Sequence, residues 1–294
     1  MKRFLNLTLL IITFSVQGVF SQDSLNAKEP LKDTAWKCGG TVAFTLSQSH
    51  YANWAAGGEN MHSFNGRAQL FLNYSEKKVS WENTLDLAYG LTYTESTDYR
   101  KNDDLFELNS KFGYQASNTW NYSAVFNMKS QFDAGKDYSD PDTIIEISNF
   151  IAPLYLNFAI GMDYKPYKSL SAFISPANLK LTYVNNVDLA ERYSLKKGEQ
   201  SKIELGAIIK IKFQQDITKD FNLQSKLDVF YSYTDITNIP HISWEILATL
   251  KLFKAISVNL NTHLIYDEKY KNPKDEEPRV QFKEIFGIGI TYKW

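Results

Sequence analysis

The sequence predicts an all-β fold: a transmembrane antiparallel up-and-down β-barrel of about 12 strands. Three observations carry this reading. Apolar and polar residues alternate with period two along most of the 294 residues. After the N-terminus, no apolar run reaches the ~18 residues of a spanning helix. The connections between alternating segments are short at one set of positions and long and charged at the other.

The chain opens MKRFLNLTLLIITFSVQGVFSQ, with Lys2 and Arg3 ahead of an apolar stretch from Leu5 to Val16 and small Ser21 before Gln22. A positive start, a short apolar core and a small residue at its end are the marks of a secretory signal peptide, expected over residues 1–21. Residues 22–35 (QDSLNAKEPLKDTA) read as a polar periplasmic tail, and 36–294 as the barrel. Lysine and arginine total 32 against 33 aspartates and glutamates, interspersed along the chain, so nothing suggests a nucleic-acid surface. Cys38 is the single cysteine, which excludes an internal disulfide.

Twelve alternating segments are expected, at 38–50, 63–74, 79–94, 104–116, 119–132, 150–164, 169–183, 201–214, 220–234, 241–252, 255–267 and 281–294. In the third, Trp81, Asn83, Leu85, Leu87, Tyr89, Leu91 and Tyr93 share one face, and Glu82, Thr84, Asp86, Ala88, Gly90 and Thr92 the other. Successive strand residues point to opposite sides, so each segment has an apolar and a polar wall. A soluble sandwich alternates too. What separates a membrane barrel from it is strand length, full charges at mid-strand on the polar wall, and aromatic residues near the ends of the apolar wall. Arg67, Asp86, Lys111, Lys129 and Lys226 are such charges, and Trp81 with Tyr93 or Tyr292 with Trp294 such aromatics.

With the N-terminus in the periplasm, the expected periplasmic connections are short, such as SEKK (75–78) and KPYK (165–168). Most expected external ones are long: ESTDYRKNDD (95–104), DAGKDYSDPDTIIEIS (133–148), NNVDLAERYSLKKGEQ (185–200) and DEKYKNPKDEEPR (267–279). An even strand count returns the C-terminus to the periplasmic side.

The set NWAAGGEN (53–60), RKNDD (100–104), ISNFIAPLYL (147–156), DYKP (163–166), IYD (265–267) and the ending QFKEIFGIGITYKW resembles an uncharacterised family of outer-membrane barrels from Bacteroidota, a numbered domain of unknown function. The resemblance runs from about Trp36 to Trp294. It implies a barrel in a Gram-negative outer membrane, in contact with its lipid, and brings no activity or cofactor with it. The final strand, closing on Trp294, also resembles the C-terminal signal read by the barrel-assembly machinery.

Two sets of residues are candidates for function. Asn53, Trp54, Gly57, Gly58, Glu59 and Asn60 fall in the first external connection. Trp54 is too apolar for a solvated tip, so this loop is a candidate constriction or binding lip, weighed against a compact turn that closes the first hairpin. The second set faces the expected lumen: Arg67, Glu82, Asp86, Glu107, Lys111, Lys129, Glu204, Lys210, Lys226, Asp228, His263 and Glu284, with Asp163, Lys180, Lys212, Glu245 and Lys251 beside them. Both signs are present, so strong ion selectivity is not expected and charges across the lumen can pair. A plugged or narrow lumen is favoured over an open one.

Passage of a small solute is the leading functional expectation. A closed barrel acting in the envelope through its external loops is the alternative, and a membrane-embedded hydrolase using His50 or His62 the minor one. No catalytic set or metal site stands out among four histidines and one cysteine. Asp133, Asp137, Asp140 and Asp142 lack the pattern of a dedicated calcium loop.

Overall fold

The computed structural model describes residues 35–51, 59–138, 144–193, 195–234, 239–253, 255–267 and 280–294. The expected signal peptide and all but the last residue of the expected tail lie outside them. The strands in chain order are β1 (Trp36–Ser49), β2 (Met61–Glu76), β3 (Val79–Thr94), β4 (Asp98–Gln115), β5 (Trp120–Ser130), β6 (Gly135–Asp137) and β7 (Ile145–Ser148). They continue with β8 (Leu154–Tyr167), β9 (Leu170–Tyr183), β10 (Ser201–Asp216), β11 (Phe221–Ser232), β12 (His241–Lys251), β13 (Ile256–Tyr266) and β14 (Gln281–Lys293). Twelve of these close into one antiparallel barrel in the order β1-β14-β13-β12-β11-β10-β9-β8-β5-β4-β3-β2. The short β6 and β7 pair separately, inside the connection from β5 to β8. Among the described residues no helix is long and apolar enough to cross a membrane.

Closure pairs both edges of every barrel strand, and the seam joins the first strand to the last. β14 lies beside β1 with Ile290 opposite Phe44, and Trp294 exchanges backbone bonds with Gly40 at 3.1 and 3.3 Å. Gly289 allows this approach: a Cβ there would overlap the carbonyl of Phe44.

The outer surface is apolar. Phe44, Phe158, Ile160, Ile203, Phe286 and Ile288 are each at least half exposed and form a band that only a hydrocarbon medium would cover. At the short-turn end Trp36 packs on Tyr74 and Trp81, Trp120 on Tyr164, and Tyr292 on Trp294. At the other end Tyr93 meets Tyr99, and Tyr231 meets Tyr233. Two aromatic girdles flanking an apolar band define a membrane-spanning barrel.

A bulge in β9 settles which side chains of that strand face inward. Pro176 has no N–H to donate, and the register against both β8 and β10 slips beside it. Ser175 Oγ covers the irregularity, lying 2.7 Å from Ile160 O and accepting from Ala177 N at 3.1 Å. Because of the extra residue, Ser171, Phe173 and Ser175 point inward before the bulge, and Asn178, Lys180 and Thr182 after it.

Two connections differ from expectation. Residues 98–104 extend β4 rather than forming a loop, so only 95–97 separate β3 from β4. Polar side chains on both faces suggested a loop, but they belong to a hairpin that rises past the apolar band, with Tyr93 opposite Tyr99. The β9–β10 connection carries a short helix, α1 (Val187–Ala190), whose N-cap Asn186 accepts from the Asp188 amide at 3.0 Å. Its Leu189 and Ala190 pack with Leu195, Val184 and Ala152 of the β5–β8 connection, and Tyr193 OH donates to Ile147 O at 2.7 Å. The two connections therefore hold each other.

Candidate functional site

Inward-facing side chains meet across the lumen, and charge decides which ones. The barrel has twelve strands, and β3 and β11 stand six strands apart, on opposite walls. Lys226 of β11 reaches across to Asp86 of β3 at 2.8 Å. Asp86 is fully buried and also accepts from Gln69 Nε2 at 2.7 Å. Arg67 of β2 meets Glu245 of β12 at 2.6 Å, and Lys226 lies 3.9 Å from the same carboxylate. Lys283 of β14 reaches Asp103 of β4 at 2.7 Å. These pairs tie together walls that the backbone does not hydrogen-bond directly.

A second group lies towards the short-turn end. Lys111 contacts Asp163 at 2.7 Å and Glu82 at 3.5 Å, and Lys165 bonds Glu82. Ser171 Oγ completes the buried Asp163 at 2.6 Å. Low dielectric strengthens each attraction, while desolvation opposes it, so these pairs hold geometry more than they add stability.

The remaining expected lumen residues are placed as follows. Glu107 accepts from Asn127 at 2.8 Å and stands opposite Lys129 in the ladder. Glu204 is buried, opposite Lys180 and 3.4 Å from Lys202. Lys210 bonds Asp228 on the next strand. His263 Nε2 lies 2.9 Å from Ser243 Oγ. Glu284 requires correction. It is exposed on the outer face, between Phe282 and Phe286 and opposite Thr262. Period two puts it on the apolar wall, and its neighbour Lys283 is the inward charge.

Lys283, Asp103 and Lys165 were not among the candidates. Lys283 could have been found from the parity of Gly287 and Thr291. Asp103 and Lys165 fell in segments expected to be loop and turn.

The lumen is not lined uniformly. Val125, Ala159, Phe173, Ile208 and Phe230 form a buried apolar cluster on the consecutive strands β5, β8, β9, β10 and β11. All five occupy inward positions. On the opposite side a cavity of about 240 Å³ reaches the short-turn end, bordered by β1, β2 and β10–β14. A smaller one of about 110 Å³ lies against Phe173, Lys111 and Lys212. Lys226 lines the smaller cavity, and Gln69, which holds Asp86, lines the larger, so the cross-barrel bridge partitions them.

Of the first-connection candidates, Asn53, Trp54, Gly57 and Gly58 lie outside the described residues. Glu59 and Asn60 tie that connection to the next hairpin. Asn60 Nδ2 donates to Glu95 at 2.8 Å and its Oδ1 accepts from Tyr51 N at 2.7 Å, while the Ser96 amide donates to Glu59. The hydrogen bonds from Ser96 hold the Glu59 carboxyl below its ordinary pKa. His62 stacks against Tyr93 on the outer face. Asp133 accepts from Tyr89 OH at 2.9 Å and from the Ala134 amide, which lowers its pKa. Asp140 and Asp142 lie outside the described residues, and among those described no group of three or more acidic, histidine or cysteine side chains could hold a metal ion.

The family model described as "Protein of unknown function (DUF3078)" matches residues 46–135, from the end of β1 to β6. No curated protein matches. Among solved structures, the chain is similar to the translocator domain of the autotransporter NalP from Neisseria meningitidis, at 9% identity and a TM-score of 0.41, with 90% of each chain covered. It is also similar to an outer-membrane channel from Pseudomonas putida F1, at 10% identity and a TM-score of 0.41, covering 93% of this chain and 100% of that one. The NanC porin matches at 10% identity and a TM-score of 0.41, covering 87% and 100%. None of the three bears on what this chain carries or binds.

Proposed function

We propose that the protein is a barrel of a Gram-negative outer membrane that passes a small polar solute through a narrow lumen, with cross-barrel ion pairs as its barrier. The observation that supports this best is the cavity that enters from the short-turn end and runs between mixed polar and apolar inward side chains up to the Arg67–Glu245 pair. Beyond it, side chains rather than backbone block the way, and side chains can move. On this reading the short-turn end is periplasmic, and the seam at Trp294 is what the assembly machinery would receive.

A second reading has its own observation. The Lys226–Asp86 bridge spans opposite walls, and the two longest described connections pack on each other. Both suit a closed barrel that works in the envelope through its loops. The hydrolase alternative named His50 and His62, and His62 stacks on Tyr93 on the outer face; the Ser243–His263 contact is a separate pair, and no carboxylate hydrogen-bonds that ring among the described residues.

Single-channel conductance in planar bilayers separates the first two. The wild type is compared with Asp86→Asn/Lys226→Gln, which keeps side-chain size and removes the bridge. The passage reading expects conductance that rises in the double variant. Silence in both would remove it and leave the closed barrel.

A further inference from the structure

The wall behind the larger cavity carries an ordered row of side chains. In register across four adjacent strands, Gln224 of β11 stands opposite Leu247 of β12, Leu247 opposite Asn261 of β13, and Asn261 opposite Ile285 of β14. All four face inward and line the cavity. The row therefore reads amide, apolar, amide, apolar, over three strand spacings of about 4.8 Å each.

The amides are incompletely bonded. Gln224 is 3% exposed and Asn261 8% exposed, yet Gln224 Nε2 and Asn261 Oδ1 have no hydrogen-bond partner among the described residues. Arg67 Nε, on the same cavity, has none either. Asn65 Oδ1, also on this cavity, is a fourth such atom; buried polar groups are nearly always paired, so two donors and two acceptors left over around one cavity mark a ligand's place. The inward cations next to the row, Arg67, Lys226 and Lys283, are each paired, with Glu245, Asp86 and Asp103 in turn, and Glu245 also accepts from Asn261 Nδ2 at 3.1 Å. The cavity's other charges, Lys219, Lys251 and Lys293 with Asp216 and Asp220, lie at its short-turn mouth, away from the row.

We infer that this cavity binds a compact, uncharged, polyhydroxylated solute of the sugar or polyol class. A hydroxyl both donates and accepts, so one ligand can satisfy Gln224 Nε2, Asn261 Oδ1 and Arg67 Nε together once these side chains turn towards it, each atom being closed to solvent in the structure. Leu247 and Ile285 offer the C–H face of such a ligand an apolar seat between the amides. An anion would have to displace Glu245 from Arg67, and a cation would meet that guanidinium. The volume, about 240 Å³, is under the ~300 Å³ at which pockets for drug-sized ligands begin, which limits the ligand to a compact one. The inference rests on the passage reading for its role and names the class of solute.

Calorimetric titration of the purified full chain in detergent tests it, with glucose and sorbitol as neutral probes and gluconate and glucosamine as charged ones. Neutral probes are expected to bind, the charged ones about tenfold or more weaker. Gln224→Leu and Asn261→Leu should each weaken neutral binding about tenfold, because each removes a buried partner; Gln224→Leu is the cleaner of the two, since Asn261→Leu also takes a hydrogen bond from Glu245. Equal or tighter binding of a charged probe, absence of binding by both neutral ones, or leucine variants that fold and bind unchanged would each overturn the assignment. Folding is checked by heat-modifiable electrophoretic mobility. If a leucine variant fails to fold, the four-probe comparison on the wild type still decides. Conductance of the same preparation is read separately: binding without conductance keeps the site and ends the passage reading, and conductance without neutral-solute binding does the reverse.

Discussion

The two sides of the lumen solve one problem in different ways. Along β5, β8, β9, β10 and β11 the interior is filled by Val125, Ala159, Phe173, Ile208 and Phe230, and packing there resembles the core of a soluble protein. Along β11 to β14 and on to β2 the interior mixes amides, hydroxyls and ion pairs with Ala43, Leu247 and Ile285 around a cavity. A barrel of this strand number is wider than the eight-stranded forms that side chains fill completely. Apolar residues consolidate one half, and the other half keeps a cavity of about 240 Å³. The ion pairs stand at the boundary between them. Position, not composition alone, decides whether an inward residue blocks or lines the lumen.

The largest expected effect breaks the filled side. Phe173→Ala removes a ring that is 1% exposed at the centre of the cluster and should cost about 3–5 kcal/mol in denaturant unfolding of the detergent-folded barrel. The new space adjoins the smaller cavity, so any conductance should rise as well. A loss under about 1 kcal/mol would show that the cluster does not hold that half together.

The boundary comes next. Lys226→Ala leaves the fully buried Asp86 with only Gln69 and should cost about 3 kcal/mol, whereas Asp86→Asn/Lys226→Gln should stay within about 1–2 kcal/mol of the wild type. Unfolding curves of the single and double variants check this. A double variant as unstable as the single would mean that Lys226 acts through something other than the bridge.

The smallest effect lies beyond both walls, where Glu59 holds the Ser96 amide. Its carboxyl titrates below the usual value of 4.5 because the folded state stabilises the ionised form. That contribution is present above the unfolded pKa and is lost as pH falls through the lower folded one. Amide exchange at Ser96, corrected for its intrinsic pH dependence, should keep its protection at neutral pH and lose it under acid. Glu59→Gln should remove the pH dependence and leave the barrel's melting unchanged. Protection that is flat with pH in the wild type would contradict the assignment.

Much of the architecture was legible because its signals are local. Expected and observed strand boundaries agree to within a few residues for most elements. The misses have specific causes. The polar residues of 98–104 lie past the apolar band, where a strand no longer needs one apolar face, so alternation stopped reporting strand there. Val125 and Phe230 sit at the parity of Asn127 and Asp228, and a strict reading would have exposed them as apolar residues inside the barrel. Phe173 could not be placed that way, because the bulge at Pro176 exchanges the faces of β9.

By itself the sequence determined the number of barrel strands, the membrane-facing and lumen-facing sides of most of them, and the end of the barrel with the short turns. The direction of a strand side chain follows from its own backbone and its immediate neighbours, so period-two alternation records it directly. Only the tertiary structure decided which lumen charges meet. Lys226 and Asp86 are 140 residues apart in the chain, and Arg67 and Glu245 178 apart. Their encounter depends on closure, stagger and the diameter that twelve strands impose, which no single segment encodes. The split between a filled half and an open half arises the same way. A row such as Gln224–Leu247–Asn261–Ile285 exists only once four distant segments lie side by side in register.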